Sequence, residues 1–369
     1  MPNVAVVLFQ LGGPDSIDAV GPFLYNLFRD PDIFDFPGVF LARNLFARRV
    51  SSSRAKPVAE HYREIGGKSP INELTESQAR DLERSLRADG ISASVFVAMR
   101  YWRPLTEDAI RAILEKTFDR IVLLPLYPHF SRATTYSSVN EWNRKIAGKK
   151  ISGIPTSLVC CYPDHPLYIE ALVENIQGTL GRFQSVDPKD IDLVFSAHGV
   201  PVDFIAKGDP YQLHIEETVR TTMARGGWIS PHRVCYQSKV GTSKWLEPSL
   251  HATMAALAND GRRNLLVIPI AFVTEHIETL HEINIEAREE ALRYGILRFE
   301  MMPALNSHPK FIRCLAELVK EQISSDRGTF TACRRLAGGD ASGPGPVLCP
   351  WYNSAKPLES RREKSAIVR

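Results

Sequence analysis

Short apolar runs alternate with amphipathic segments through most of the 369-residue chain, and this alternation constrains the fold more than any other feature. The pattern is typical of parallel α/β sheets, in which a helix follows each buried strand and covers the sheet. Four strands are predicted in each half, at residues 4–9, 93–98, 121–126 and 157–161, then at 192–195, 233–236, 265–270 and 297–301. Equal strand numbers predict two similar βα layers with a cleft between them.

Helices are predicted between these strands, near residues 17–28, 73–88, 106–118, 138–147, 167–180, 210–224, 250–259, 276–293 and 308–324. We expect an N-terminal domain at residues 1–152 and a C-terminal domain at 153–325, with the last helix packed on the N-terminal domain. Residues 326–369 include the Gly- and Pro-rich run 337–346, which is too poor in apolar surface to fold. We therefore expect a disordered tail at 326–369.

An aromatic-rich segment at residues 23–46 departs from the regular pattern. It is interrupted by Asp30-Pro31 and Pro37-Gly38 and contains six phenylalanines: Phe23, Phe28, Phe34, Phe36, Phe40 and Phe46. A broken helix of this composition is consistent with ordinary core, with a lid over a flat apolar ligand, and with a patch that touches a membrane surface. The sequence leaves these three roles open.

The bulk composition, with 44% hydrophobic and 24% charged residues, is that of a soluble globular protein. No apolar run approaches the roughly 20 residues that cross a bilayer. The N-terminus lacks the basic region of a signal peptide, which predicts a cytoplasmic protein. Residues 328–369 carry seven Lys or Arg and three Asp or Glu, a net charge of +4, so the formal charge of +3 for the whole chain comes from the tail. The body is near −1, and we expect no nucleic-acid partner.

Four glutamates recur at every fourth residue after the strand at 265–270, namely Glu278, Glu282, Glu286 and Glu290. On a helix they form one stripe, and like charges at that spacing destabilise the helix. Such a stripe points to a cation that uses it. For Glu286 and Glu290 alone we favour a solvated face, with Arg288 and Arg293 as partners. Glu278 differs, because His276 and Phe272 accompany it at the carboxyl end of a strand, where open α/β sheets bind ligands.

A histidine follows the strand at 192–195 in the sequence Ser196-Ala-His198-Gly-Val-Pro201. This position places His198 in a crevice, and imidazole titrates near neutral pH and binds metals. Arg100 and Tyr101 end another strand, and Arg54 and other basic residues precede Tyr62. Cations beside aromatic rings suit a flat ligand with peripheral carboxylates. The chain contains no GxGxxG, P-loop, GxSxG or HExxH motif.

Together these motifs resemble the ferrochelatases, enzymes that insert Fe²⁺ into a porphyrin. The matching segments cover residues 4–325 and include Leu11-Gly-Gly-Pro14, Tyr62-Arg-Glu-Ile-Gly-Gly-Lys-Ser-Pro70, Met99-Arg-Tyr101, Leu126-Tyr-Pro-His-Phe-Ser131, Ser196–Pro201, Cys235-Tyr-Gln-Ser-Lys-Val-Gly241 with Trp245, and Phe272 to Glu286. The resemblance implies the class II chelatase fold, an α/β fold of two Rossmann-like domains, each with a four-stranded parallel sheet flanked by helices. It implies a porphyrin cleft between the domains.

The resemblance also implies roles for individual residues. His198 and Glu278 correspond to the catalytic and metal-binding pair, and we expect them to reach the macrocycle centre from separate lobes. Which of the two takes protons and which holds the metal stays open. The remaining positions correspond to a proton or metal path, His276, Glu282 and Glu286, and to a porphyrin-binding wall, Arg54, Tyr62, Ser69, Met99, Arg100, Tyr101, Tyr127, Trp245 and Phe272.

The implied activity is insertion of Fe²⁺ into protoporphyrin IX, which gives protoheme and two protons in the last step of heme biosynthesis. Coproporphyrin III as substrate and a non-catalytic tetrapyrrole carrier are alternatives. Arg132 occupies the position of an internal cluster cysteine, and Cys333 and Cys349 lack the usual close grouping, so we expect no [2Fe–2S] cluster. Porphyrin and Fe²⁺ are the expected partners, with peripheral membrane contact and a monomer or homodimer left open.

Overall fold

The computed structural model describes residues 2–34, 39–239 and 243–324, and the side chains of residues 39–41 are left aside. Its first sheet contains β1 (Val4–Gln10), β2 (Ala93–Met99), β3 (Arg120–Pro125) and β4 (Thr156–Leu158) in the order β2-β1-β3-β4. Its second sheet contains β5 (Ile191–His198), β6 (His232–Gln237), β7 (Asn264–Pro269) and β8 (Arg298–Met301) in the order β6-β5-β7-β8. All pairings are parallel, so the predicted α/β fold with two four-stranded sheets is confirmed.

Eleven α-helices lie in the described ranges, and most of them follow a strand and cover a sheet face. They are α1 (Val20–Phe28), α2 (Val39–Glu64), α3 (Ile71–Ala88), α4 (Thr106–Leu114), α5 (Ser137–Ile146), α6 (Pro166–Leu180), α7 (Val202–Ala206), α8 (Tyr211–Gly226), α9 (Leu250–Asn259), α10 (Arg288–Arg293) and α11 (Pro309–Ser324). Two π-helical segments, Arg132–Tyr136 and Glu278–Ala287, precede α5 and α10.

Strand β1 shows why the apolar runs become central parallel strands. Alternate residues point to opposite faces, and every residue of β1 is buried. Val4, Val6 and Leu8 pack in a core that includes residues of α3 and α6. Ala5, Val7 and Phe9 pack in a second core with residues of α4 and α5. A strand covered on both faces needs a continuous apolar run, which is what the sequence contains.

The two sheets share one core, and the last helix contributes to both halves. Helix α11 contacts α3 and β3 of the first half as well as α6, and the Arg120 guanidinium donates to the carbonyl oxygens of Gln322 (2.7 Å) and Ile323 (3.0 Å). Strand β4 pairs with β3 and lies beyond residue 152, so the first sheet extends past the domain boundary we expected. The division into domains stays a prediction, and the expected tail lies outside the described residues.

The aromatic segment at 23–46 folds into α1 and the start of α2, as far as it is described. Phe23 and Phe28 are buried in a cluster with Tyr62 and Tyr101, and the Phe34 ring lies 5.4 Å from that of Phe28. For these rings the core role holds. Phe36 and the side chain of Phe40 lie outside the described part of the chain. In the described ranges, no helix is both long and apolar enough to cross a membrane.

Candidate active site

The strand order of the second sheet creates a crevice at the carboxyl end of β5. The chain leaves β5 for β6 on one side and returns to β7 on the other, so the connections diverge at this point. Ligands of open α/β sheets bind at such a switch point. His198 is the last residue of β5, and Glu278 follows β7 by nine residues. Strand β5 extends to His198 itself, three residues beyond the predicted strand end at Phe195.

The imidazole of His198 has one nitrogen fixed and the other directed at a carboxylate. Its Nδ1 donates to the carbonyl oxygen of Gly199 at 2.5 Å, which places the proton on Nδ1 in the neutral ring. Its Nε2 therefore carries a lone pair and lies 3.8 Å from Oε2 of Glu278. A third of the His198 side chain is exposed, so a ligand in the cleft has access to it.

Glu278 lies between two imidazoles. Its Oε2 is 3.8 Å from Nε2 of His198 and 3.8 Å from Nε2 of the buried His276, and it has no hydrogen-bond partner among the described residues. Burial would raise the pKa of Glu278, but the charges of His198 and His276 outweigh burial and the pKa is lowered. The site therefore favours a carboxylate with one unpartnered oxygen, which is suited to accept a proton or bind a cation.

The expectation that His198 and Glu278 approach from separate lobes is wrong. His198 ends β5 and Glu278 begins the π-helix after β7, and both strands belong to the second sheet. A separation of 3.8 Å leaves no room for a macrocycle between the two side chains. Both groups therefore face a ligand from the same side.

The segment predicted as one α-helix at 276–293 is a π-helix over Glu278–Ala287 followed by α10. His276 precedes the helix, and its Nδ1 lies 3.0 Å from the carbonyl oxygen of Thr274. Burial lowers the pKa of His276, but Glu278, together with the charge of Glu275 and the hydrogen bond to the Thr274 backbone, raises it overall. A π-helix is rare and is frequently found at functional sites.

Residues at the end of β6 contact the π-helix near its next glutamate, Glu282. Glu282 Oε2 accepts a hydrogen bond of 2.5 Å from the Ser238 hydroxyl, and Gln237 Nε2 donates at 3.3 Å to the Glu278 carbonyl oxygen. Burial and the charge of Glu278 raise the pKa of Glu282 to about 7, against the effect of the Ser238 hydrogen bond. Glu282 is therefore poised to gain or lose a proton near neutral pH.

The outer glutamates differ from each other. Glu286 is about half exposed and lies near His61 and His281, whereas Glu290 pairs with His251 and accepts a hydrogen bond from Tyr294. Of the partners expected from sequence, Arg293 acts on Glu290 through its charge, whereas Arg288 binds Asn284 and the Phe299 carbonyl oxygen.

Three predicted wall residues lie around this cluster. The Trp245 ring centroid is 6.2 Å from that of His198, and the Phe272 ring is 4.8 Å from that of His276. Tyr62 is buried on α2 and lies near the charges of Glu278 and Glu282. Burial has the largest effect on the pKa of Tyr62, and burial and these two charges all raise it. Tyr62 therefore stays a neutral phenol.

The other predicted wall residues are held by contacts of their own. Arg100 forms a buried ion pair with Asp30 at 2.8 Å, and the Tyr101 hydroxyl donates to the same carboxylate at 2.6 Å. Ser69 packs under the glycine turn after β1, where a Cβ on Gly13 would lie 2.5 Å from it. Met99 is buried at the end of β2, Tyr127 is half-buried after β3, and Arg54 is exposed with its guanidinium 5.8 Å from the Phe28 ring centroid. Their roles in porphyrin binding stay predictions.

Sequence reasoning missed the residues that support this site. Gln237 and Ser238 belong to a motif to which the sequence assigned no role, although Gln237 ends the strand beside β5 and Ser238 follows it. That strand-end position was the available signal. Asp30, the partner of Arg100 and Tyr101, gave no local signal, because it is separated from them by 70 residues or more.

Comparisons with known proteins agree with this geometry. The solved structure of SirB from Bacillus subtilis with Fe³⁺ matches at a TM-score of 0.51 and 13% identity, and the match covers 89% of this chain and 98% of that one. The sirohydrochlorin chelatase SirB from Bacillus subtilis subspecies spizizenii in complex with cobalt matches at 0.50 and 10% identity, with the same coverage. This likeness defines the class of fold: the α/β class II chelatase fold, with two four-stranded parallel sheets flanked by helices.

Sequence relatives narrow that class. Residues 3–323 match the family model for ferrochelatase. The ferrochelatase of Citrifermentans bemidjiense is 50% identical over 320 residues, which cover 86% of this chain and 98% of that protein. The ferrochelatase of a Picosynechococcus species is 43% identical over 334 residues, which cover 89% and 85%. The chain belongs to the ferrochelatase family.

Proposed function

We propose that this protein is an enzyme that inserts Fe²⁺ into protoporphyrin IX to give protoheme and two protons. The observation that carries the proposal is the approach of the His198 imidazole and the Glu278 carboxylate to 3.8 Å at the switch point of the second sheet. Neither group hydrogen-bonds the other, so both keep a lone pair for an incoming proton or cation.

Metallation removes two N–H protons from the porphyrin as the cation enters its centre. His198 Nε2 is a free base in the neutral ring, because Nδ1–H is bound to Gly199. Glu278 is a carboxylate, because His198 and His276 lower its pKa overall when they are charged. His198 acts as a proton acceptor in its neutral form, in which His276 alone supplies a positive charge next to Glu278. These two acceptors on one side of the ring match the two protons to be removed, and positioned proton transfer typically contributes about 10²–10⁴-fold to a rate.

The protons leave along the glutamate row in this proposal. Glu282 follows Glu278 on the same helix, and its pKa of about 7 lets it exchange protons at neutral pH. Glu286 is about half exposed and ends the route at solvent. The supporting observation is the rise in exposure from the buried His276 to Glu286.

Two features support protoporphyrin over the more carboxylated coproporphyrin. Of the arginines that the resemblance places near the pocket, Arg100 is neutralised by Asp30 in a buried pair. The second of these arginines, Arg54, has its guanidinium 5.8 Å from the Phe28 ring centroid and is thus engaged with an aromatic ring. The apolar wall instead offers Trp245, Phe272 and Tyr62, which suit a ring with few peripheral charges.

Anaerobic mixing of the protein with Fe²⁺ and protoporphyrin IX tests the activity, because metallation shifts the Soret band. We expect enzyme-dependent formation of protoheme. A competition between protoporphyrin IX and coproporphyrin III at fixed enzyme concentration tests the substrate. Faster insertion into coproporphyrin III would overturn the substrate assignment, and no insertion into either would overturn the function.

We also propose that the enzyme works without an iron–sulfur cluster. The position that the resemblance assigns to an internal cluster cysteine is Arg132, whose Nε donates to the Asp32 carbonyl oxygen at 3.2 Å and whose guanidinium lies 5.6 Å from the Phe204 ring centroid. These contacts support a packing role for Arg132. Iron analysis of purified protein tests the proposal, and two tightly bound iron atoms per chain would contradict it.

A cytoplasmic location with peripheral membrane contact completes the proposal. Leu45 on α2 is 69% exposed, within the segment that the sequence associates with a lid or a membrane patch. Co-sedimentation with liposomes tests this contact, with Leu45→Ser as the variant expected to bind less.

A further inference from the structure

The peptide group that joins His198 to Gly199 is held at both of its ends. The hydroxyl of Tyr211 donates to the His198 carbonyl oxygen at 3.0 Å. On the other side, the Gly199 N–H donates to the Gln237 carbonyl oxygen at 2.7 Å. A Cβ on Gly199 would lie 3.2 Å from that same oxygen, so a larger residue would be crowded against β6. The orientation of this peptide is therefore fixed by one contact with β6 and one with α8.

The same peptide group sets the direction of the His198 imidazole. Nδ1 of His198 donates to the carbonyl oxygen of Gly199 at 2.5 Å, so the ring follows the main chain at that residue. A rotation of the peptide would carry Nε2 away from its position 3.8 Å from Oε2 of Glu278. Misplacing a reacting group by about 1 Å can cost about 10²-fold in rate. Whatever holds this peptide therefore bears on the reaction.

Tyr211 is suited to hold the His198 carbonyl. It is the first residue of α8, and its side chain is buried. Burial most of all, and then Tyr236 and the charge of Glu278, raise the pKa of Tyr211 well above its ordinary value. The hydroxyl therefore keeps its proton and acts as a donor. The backbone N–H of Tyr211 donates to Oδ1 of Asp209 at 3.0 Å, which fixes the start of the helix.

Asp209 also contacts the first half of the molecule. Its second carboxylate oxygen, Oδ2, accepts hydrogen bonds from the Ser131 hydroxyl at 3.0 Å and from the Arg132 backbone N–H at 2.7 Å. Both residues follow β3 of the first sheet. One carboxylate therefore joins the start of α8 to the chain segment that leaves the first sheet.

The two residues before Ser131 bond to α8 as well. His129 Nε2 lies 2.9 Å from Oγ1 of Thr218, and the Phe130 N–H donates to Nδ1 of His214 at 3.2 Å. Four consecutive residues after β3 are thus tied to α8 or to Asp209. The segment that begins at the predicted wall residue Tyr127 is packed against the helix that holds the His198 carbonyl.

We propose that Tyr211 is a positioning residue for His198, and that Asp209 sets its position relative to the first half of the molecule. The inference rests on the proposed function, which gives His198 its part in metallation. A porphyrin bound against the wall of the first half then meets an imidazole whose direction is set from that same half.

Replacing Tyr211 by Phe keeps the ring and removes only the hydroxyl. We expect kcat for Fe²⁺ insertion to fall at least about tenfold and KM for protoporphyrin IX to stay near its wild-type value, because positioning acts on the chemical step. Rates are normalised to porphyrin-binding sites titrated by fluorescence quenching, so a smaller folded fraction does not count as a slower enzyme. Tyr168→Phe is the matched control: the fully buried Tyr168 donates to the Ile270 carbonyl oxygen at 3.1 Å, and its loss should leave kcat unchanged.

Two further measurements separate positioning from a general structural role. Asp209→Asn keeps the Tyr211 hydroxyl but weakens the contact with the first half, so its kcat should lie between those of wild type and Tyr211→Phe. Long-range proton–nitrogen NMR spectra report the imidazole tautomer without turnover, and His198→Ala identifies the signal. At about pH 8.5, above the ordinary pKa of imidazole, we expect Nδ1–H in wild type and in Tyr168→Phe, and mixed tautomers in Tyr211→Phe.

An unchanged kcat or an unchanged tautomer in Tyr211→Phe would overturn the inference, as would an equal loss of kcat in Tyr168→Phe. A wild-type kcat in Asp209→Asn would overturn the role assigned to Asp209. Failure of the proposed function is distinguishable from these results. If the wild-type protein inserts no Fe²⁺ while the tautomer changes as expected, the proposed function fails and the positioning contact stands.

Discussion

His198 Nε2 and Glu278 Oε2 lie 3.8 Å apart, which is close enough for the two groups to interact electrostatically but too far for a hydrogen bond. Two metal–ligand bonds of about 2.0–2.2 Å that meet at an angle at one ion span such a gap. The same spacing lets each group act on one N–H of a ring presented to both. In the proposed function the pair therefore combines the roles of metal ligand and proton acceptor on one face of the cleft.

Replacing Glu278 by Gln should abolish metallation and leave porphyrin binding close to normal. The amide keeps the shape of the side chain but provides no carboxylate, so we expect at least about a 10²-fold loss in the rate of Fe²⁺ insertion. Porphyrin binding is measured by quenching of protein fluorescence, and insertion by the Soret shift. Glu290→Gln, on the same row but paired with His251 and Tyr294, should insert Fe²⁺ at the wild-type rate. Metallation that survives Glu278→Gln would favour a tetrapyrrole carrier with no catalytic carboxylate.

Replacing His276 by Gln should shift the acid limb of the pH–rate profile upward. Burial raises the pKa of Glu278 while His198 and His276 lower it, so removing the charge of His276 raises that pKa. In the proposed function Glu278 acts as the carboxylate, and kcat/KM reports ionisation in the free enzyme. His251→Gln, remote from Glu278, serves as control. An acid limb that stays at the wild-type pH would show that another group sets it.

The strands were predictable because their burial on both faces demands continuous apolar runs. All eight predicted strands occur, with ends shifted by a few residues. The location of His198 and Glu278 near strand ends followed from the same logic, since parallel strands bring their carboxyl ends to one edge of the sheet. The local sequence was sufficient to predict those elements whose burial depends only on their own apolar pattern.

The relations that failed depend on strand order or on distant partners. The side from which His198 and Glu278 approach follows from the order β6-β5-β7-β8, which periodicity does not reveal. The π-helix has an apolar pattern close to that of an α-helix, so its wider turn could not be predicted from the sequence pattern. The buried ion pair between Arg100 and Asp30 joins residues 70 positions apart, so no local pattern revealed it.

Replacing Asp30 by Asn should destabilise the protein by about 3–5 kcal/mol, because it leaves the charge of Arg100 buried and unpaired. Asp30 is fully buried and also accepts hydrogen bonds from Tyr101 (2.6 Å) and Ser137 (2.5 Å). The measurement is the urea unfolding free energy. Arg220→Gln removes an exposed pair with Glu217 and should cost at most about 1 kcal/mol. A loss no larger for Asp30→Asn than for Arg220→Gln would show that Arg100 finds another partner.

The effect of replacing Glu282 by Gln on the free energy of unfolding should become more stabilising as the pH rises. In the folded protein the pKa of Glu282 is raised from 4.5 to about 7, first by burial and then by Glu278. Folding therefore binds a proton between these values, and wild-type stability falls as the pH rises through that window. Glutamine does not titrate, so the stability of the variant relative to wild type should increase from pH 5 to pH 8 by about 1–3 kcal/mol.

Thermal unfolding at both pH values measures this difference and cancels any constant effect of the substitution. Glu290 is the matched control: burial would raise its pKa, but Tyr294 and His251 lower it overall, so Glu290→Gln should show no trend between pH 5 and pH 8. A flat difference for Glu282→Gln would mean that this carboxyl ionises at its ordinary pKa. Glu282 could then not act as the intermediate proton carrier in the proposed route from Glu278, because a carboxylate fully ionised at neutral pH holds no proton to pass to Glu286.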